Sequence, residues 1–134
     1  APTTEAPVTE APTSDLGQQI ANFACQFVGN PYVWGGTSLT NGADCSGFVQ
    51  SVYKNFGYSL PRTCTPQSNA GTAVSLAALA PGDLVFYDHG TGSCEHVGIY
   101  IGNGQIVHAS SSRTGIKISN VNYSTPFKAC RIVN

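Results

Sequence analysis

The apolar positions of the chain change period once, near its middle. In the first half they recur at helical spacing. Leu16, Ile20, Phe23 and Phe27 share one stripe, with Ser14 or Asp15 available as a cap and Gly29-Asn30-Pro31 as a stop. Phe48, Val49, Val52, Tyr53 and Phe56 share the face of a second helix that opens at Asp44 and is closed by Gly57. Thr65-Pro66 reads as the cap and first residue of a short third helix. From Pro81-Gly82 onward the period is two, and strands are predicted over 84–87, 96–101, 105–109, 115–119 and 127–133. Helices first and strands after, joined by hairpin-length links, predict an α+β domain. Its N-terminal helices pack on a mainly antiparallel sheet of about five or six strands.

Residues 1–13 follow neither period. They repeat Thr-Glu-Ala-Pro at 4–7 and 9–12, a Thr- and Pro-rich composition with nothing to pack, and read as a disordered linker or tether. That leaves residues 14–134 as one domain. The expected state is a monomer tethered to further modules of a parent protein. Apolar residues make up 41% of the chain, charged residues 10%, and the formal net charge is −1. No basic patch argues for nucleic acid or an anionic membrane as a partner. No apolar run approaches the ~20 residues that a membrane span needs.

The chain has 5 Cys and no Met, not even at position 1. A high cysteine count in a short chain suits an oxidising compartment, so the protein is expected to be secreted, its export segment already removed. An odd count leaves one thiol over. Cys25, Cys64, Cys94 and Cys130 can form two disulfides in three pairings, and Cys45 then stays free.

Cys45 also has the best position for chemistry. It follows a loop rich in Gly, Thr and Asn and stands at the opening of the second helix, in Asp44-Cys45-Ser46-Gly47. Free backbone N–H groups and the helix dipole there favour a thiolate and suit an oxyanion. Asp44 fits the N-cap, and the small Ser46 and Gly47 allow close approach of a substrate.

A thiolate needs a base, and there are 3 His. His96 opens one predicted strand and His108 lies on the next, with Gly102-Asn103-Gly104 between them as a three-residue hairpin loop. Pairing Ile101 with Gln105 sets His108 opposite Gly98, so both imidazoles emerge on one face, within reach of each other. A two-residue turn would place them on opposite faces. With the first register, His96 is the expected general base and His108 its orienter. His89, in the turn-like Asp88-His89-Gly90, is expected to be an exposed loop residue. Cys94 with the three His offers no zinc-type spacing, so no metal site is expected.

With these residues in place, the chain resembles the NlpC-type cell-wall peptidases, a papain-like family of bacterial cysteine endopeptidases. The resemblance runs through Asn30-Pro31-Tyr32-Val33-Trp34-Gly35-Gly36, Asp44-Cys45-Ser46-Gly47-Phe48-Val49 and Leu60-Pro61-Arg62-Thr63. It continues through Pro81-Gly82-Asp83-Leu84-Val85-Phe86, His96-Val97-Gly98-Ile99-Tyr100-Ile101-Gly102 and Val107-His108-Ala109-Ser110. Six such elements in one order make it specific. It implies a Cys45-His96-His108 triad, Tyr32 beside the nucleophile as an oxyanion donor, and Asp44, Ser46 and Arg62 along the substrate cleft. It further implies hydrolysis of the bond between γ-linked D-glutamate and a diamino acid in peptidoglycan stem peptides, through a thioester and without a cofactor.

Two features depart from the family pattern. Ala43 stands where a larger apolar residue is common, and the four additional cysteines are not a general feature. Set on the family's cleft, a Cys64–Cys94 disulfide would brace the rim, and a Cys25–Cys130 disulfide would tie the first helix to the last strand. Two other functions share the same residues. One is an N-acetylmuramoyl-L-alanine amidase or acyltransferase using the same Cys-His pair, and the other is a non-catalytic wall-binding module.

Overall fold

The computed structural model of the protein describes residues 15–133; the linker segment and the capping position Ser14 lie outside the described residues. Helix α1 (Asp15–Cys25) buries Ile20, Ala21 and Ala24, with Leu16 and Phe23 at the margin of the core and Phe27 in the turns that follow. A small hairpin, β1 (Thr37–Ser38) and β2 (Gly42–Ala43), then leads into α2 (Cys45–Lys54). Helix α2 buries Phe48, Val49, Val52 and Tyr53, and Gly57 closes the turn after it with φ +88°. The one-turn helix α3 (Cys64–Gln67) starts earlier than the sequence suggests, with Thr63 at the cap. Pro66 still falls in its first turn, where the missing N–H has no intrahelical partner to lose.

Six strands form one antiparallel sheet: β3 (Thr72–Ala73), β4 (Leu84–Tyr87), β5 (His96–Gly102), β6 (Gln105–Ser111), β7 (Gly115–Asn120) and β8 (Pro126–Arg131). Their order is β3-β8-β4-β5-β6-β7. The architecture is papain-like α+β, with few helices packed on this sheet. Both faces of the sheet are covered. Leu84, Phe86, Val97, Ile99, Val107 and Ala109 lie in the core shared with the helices. Val85, Tyr87, Tyr100, Ile106 and Ala129 form a second cluster with Leu79 on the opposite face. Burial on both sides explains why Leu84–Tyr87 reads as an unbroken apolar run.

The turn into β4 is fastened by charge. Both carboxylate oxygens of Asp83 accept from Arg131, Nε to Oδ1 and Nη2 to Oδ2, each at 2.8 Å, and Oδ2 also accepts from the backbone N–H of Ala80. Tyr53 reaches the same turn from α2 and donates its hydroxyl to the carbonyl of Gly82.

The cysteines depart in part from the expected pairing. A disulfide joins Cys64 to Cys94, whereas Cys25 and Cys130 are free thiols. The topology keeps that second pair apart. Helix α1 packs over β5 and β6, and Cys130 lies on β8, beyond β4, with its thiol donating to the carbonyl of Gln67.

The hairpin between β5 and β6 also differs from its expected form. Gly102 pairs with Gln105, so the turn has two residues, Asn103 (φ +57°) and Gly104 (φ +75°). Such a turn alone would separate the two histidines onto opposite faces. A bulge between Tyr100 and Gly102 adds the missing residue, and Tyr100 pairs with Ile106 and Ile99 with Val107. The register beyond the bulge therefore sets His108 across from Gly98. A Cβ on Gly98 would meet the Cβ of His108 at 3.3 Å and the end of Ile106 at 2.7 Å, so a side chain there would crowd His108 and displace the tip of Ile106.

Candidate active site

Residues from three parts of the chain converge on one cavity of about 630 Å³. Tyr32, Asp44, Cys45 and Ser46 come from the entrance to α2, Arg62 and Cys64 from the approach to α3, and His96 from the start of β5. The entrance to α2 is built around Asp44. Its Oδ1 accepts from the backbone N–H of Gly47 at 2.7 Å, closing the helix cap, and its Oδ2 accepts from the N–H of Gly35 at 3.1 Å. Arg62 grips the same carboxylate with both Nη atoms, at 3.1 and 3.0 Å, and donates to Ser46 Oγ at 3.1 Å. Asp44 is buried and Arg62 about a third exposed, so the paired charges present the guanidinium to the cleft.

Gly47 does not serve the substrate, contrary to its expected role. A Cβ there would lie 2.1 Å from the carbonyl oxygen of Gly36, so the empty position is taken up by the Tyr32–Gly36 loop closing over α2. Ala43 is fully buried in the same joint, paired with Thr37 and bridged to Tyr32.

Cys45 is the first residue of α2 and is half-buried. Burial pushes its thiol above the usual range. The backbone N–H of Val97 pulls it down, Asp44 pushes it up, and the N–H groups of Ser46 and Cys45 itself pull it down. Burial and the Asp44 carboxylate thus act against the pull of the helix entrance on this thiol. Tyr32, beside it, has its hydroxyl shifted up by burial and by the charges of Cys45 and Asp44.

His96 and His108 are both buried, with Nε2 of His96 and Nδ1 of His108 2.6 Å apart. The second nitrogen of His108, Nε2, lies 2.8 Å from Ser119 Oγ on β7. Burial lowers His96 to about 3, helped by His108 and His89. Burial lowers His108 to about 4, helped by Lys117 across the strand pair. Both rings are neutral at ordinary pH. With Nε2 of His96 committed to His108, only its Nδ1 is left to exchange a proton with a group in the cavity.

A model of the NlpC/P60 family matches residues 29–133, most of the chain. The chain belongs to the NlpC/P60 family. Among its relatives is a γ-D-glutamyl-L-lysine dipeptidyl-peptidase of Bacillus subtilis, 45% identical over 103 residues, covering 75% of this chain and 34% of the relative. Another, the γ-DL-glutamyl hydrolase of Bacillus subtilis, is 47% identical over 111 residues, covering 81% of this chain and 26% of the relative. The crystal structure of an NlpC/P60 protein from Bacillus cereus superposes with a TM-score of 0.80 at 37% identity, over 92% of this chain and 42% of that one. The chain thus spans about a third or less of the two curated relatives.

Three residues of this NlpC/P60 site carry no signal in the sequence. His89 is exposed, as its turn suggests, but its left-handed backbone (φ +51°) stacks the ring on His96, with centroids 5.8 Å apart and planes 21° apart. Tyr123 comes from the loop after β7. Its ring lies 5.2 Å from that of His108 and 6.3 Å from that of His96, and its hydroxyl is 3.4 Å from Nε2 of His89. Burial pushes the Tyr123 hydroxyl up to about 12, with Cys45 adding to the rise. Ser119 is the third. The disulfide Cys64–Cys94 lines the cavity with His89, while Tyr123 and Ser119 stand behind the histidines and Cys25 and Cys130 are absent from its wall. Among the described residues, no group of three His, Cys, Asp or Glu is placed to hold a metal ion, and no helix is long and apolar enough to cross a membrane.

Proposed function

We propose that this domain hydrolyses the bond between γ-linked D-glutamate and the diamino acid of peptidoglycan stem peptides, with Cys45 as nucleophile, His96 as base and His108 as its orienter. The observation that carries the reading is the bond between the two buried imidazoles, which leaves one nitrogen of His96 to work beside Cys45. As the sulfur attacks the γ-glutamyl carbonyl, its proton passes to Nδ1 of His96. The C–N bond then breaks, and the leaving amine takes that proton. Water, deprotonated by the same nitrogen, cleaves the thioester and frees the γ-carboxyl and the thiol.

The neutral resting pair fits this sequence, because the base acts during attack instead of storing a thiolate beforehand. Backbone N–H groups of Cys45 and Ser46 at the helix entrance and the hydroxyl of Tyr32 are the donors for the tetrahedral oxyanion. Arg62, held by Asp44 and Ser46, offers its guanidinium to a carboxylate of the acyl residue. Both curated relatives are named for γ-glutamyl bonds, which supports this acyl group. The corresponding place of action is outside the cell, at the wall, with the linker joining the domain to further modules.

Digestion of purified wall, followed by identification of the new termini, tests the bond. A free amino-terminal diamino acid is the expected product. Muramic acid stripped of L-Ala would instead make the domain an amidase.

A further inference from the structure

We infer that Ser119 is a positioning residue of this site: through His108 it holds His96 in the tautomer whose Nδ1 is free to take the proton of Cys45. The inference rests on His96 acting as the base proposed above.

Both ring nitrogens of His108 are accounted for, Nδ1 by His96 at 2.6 Å and Nε2 by Ser119 Oγ at 2.8 Å. One proton lies between the two imidazoles, and two arrangements are possible. In the first, Nε2–H of His96 donates to Nδ1 of His108, whose own proton is then on Nε2 and donates to Ser119. Nδ1 of His96 is bare and basic. In the second, Nδ1–H of His108 donates to His96, whose proton is then on Nδ1, the wrong atom for a base. Catalysis needs the first, and so does the imidazolium of His96, which must donate from Nε2 once it has taken the cysteine proton.

The first arrangement places an N–H at a side chain that is fully buried. The hydroxyl of Ser119 can accept from that N–H or donate to a bare Nε2, so it satisfies either arrangement. An orphaned buried N–H is rarer and costlier than an under-satisfied acceptor, so what Ser119 removes is the larger penalty, the one that would fall on the productive tautomer. Of the other groups set against His108, Lys117 opposite it is a cation, Tyr123 lies against its ring, and His96 occupies its other nitrogen. The geometry follows from β7 being in register, Lys117 across from His108 and Ser119 across from Ile106, so that Ser119 stands diagonal to His108 on the same face.

The test is ¹⁵N NMR of histidine-labelled whole protein, reading the protonated nitrogen of His96 and His108, together with kcat and KM on wall fragments. In the wild type both rings are expected as the Nε2–H tautomer. Ser119→Ala is expected to mix the tautomers of both rings and to lower kcat about tenfold at unchanged KM. Ser119→Thr keeps the hydroxyl and is expected to restore both readouts. Tautomers and kcat unmoved by Ser119→Ala, or a wild-type His108 protonated on Nδ1, would overturn the inference. The NMR reading stands without turnover, so a wild type that cleaves no γ-glutamyl bond would remove the proposed function while the tautomers still decide the role of Ser119.

Discussion

His96 and His108 are joined nitrogen to nitrogen at 2.6 Å, across a hairpin whose bulge exists to put them on one face. In the proposed mechanism His108 is the acceptor that keeps His96 from turning its proton toward the cysteine. Replacing it with Ala is expected to lower kcat by about 10²-fold or more with little change in KM. His108→Gln, whose amide oxygen can accept, should retain more activity than Ala. Steady-state kinetics check this; a raised KM at unchanged kcat would mean that His108 binds substrate instead.

The same pair makes stability depend on pH. Both rings are held below the ordinary imidazole value, His96 at about 3 and His108 at about 4. As pH falls past about 6.5 the unfolded chain takes up protons that the folded site refuses. The stabilisation is complete above that value and is lost progressively down to about 3–4. The melting temperature is expected to fall by roughly 5 °C or more between about pH 7 and about pH 4.5, and less steeply in His108→Gln. A flat profile over that window would contradict the neutral, buried pair.

The Cys64–Cys94 bridge closes a loop with a sequence separation of 30. Chain entropy assigns such a loop about 3–4 kcal/mol. The double variant Cys64→Ser/Cys94→Ser is expected to unfold at lower denaturant by about that amount, and a reductant should reproduce the shift in the wild type. Chemical unfolding curves with and without reductant measure it.

Asp83 is buried at 2% exposure and holds Arg131 with both oxygens. Removing it leaves a guanidinium half inside the protein and frees the turn that starts β4. Asp83→Ala is expected to cost about 3 kcal/mol in urea unfolding. Loss of under about 1 kcal/mol would show that solvent replaces the carboxylate.

Much of this was legible from the residues. Period-3.6 and period-2 patterns carried α1, α2 and strands β4 to β8, because those elements each bury a face large enough to constrain the sequence. Strands β1, β2 and β3 have two residues each, too few for any period to show. The hairpin register was readable and its turn was not: a two-residue turn with a bulge and a three-residue loop give the same pairing, and only backbone dihedrals separate them. His89, Ser119 and Tyr123 join the site through tertiary contacts from loops and an edge strand, where local spacing carries no information. The free state of Cys25 and Cys130 likewise follows from strand order, with α1 over β5 and β6 and Cys130 on β8, two strands from β5 and three from β6. The burial that raises the Cys45 thiol against the pull of the helix entrance is likewise a tertiary effect, which local sequence does not carry.

In the proposed mechanism the sulfur of Cys45 carries the acyl group. Acid quenching of the protein during turnover of a γ-D-glutamyl stem peptide, followed by peptide mapping, tests it most directly. A thioester of the γ-glutamyl fragment on Cys45, absent in Cys45→Ala together with turnover, is the result expected. Undiminished turnover by Cys45→Ala, or an adduct confined to Cys25 or Cys130, would contradict it.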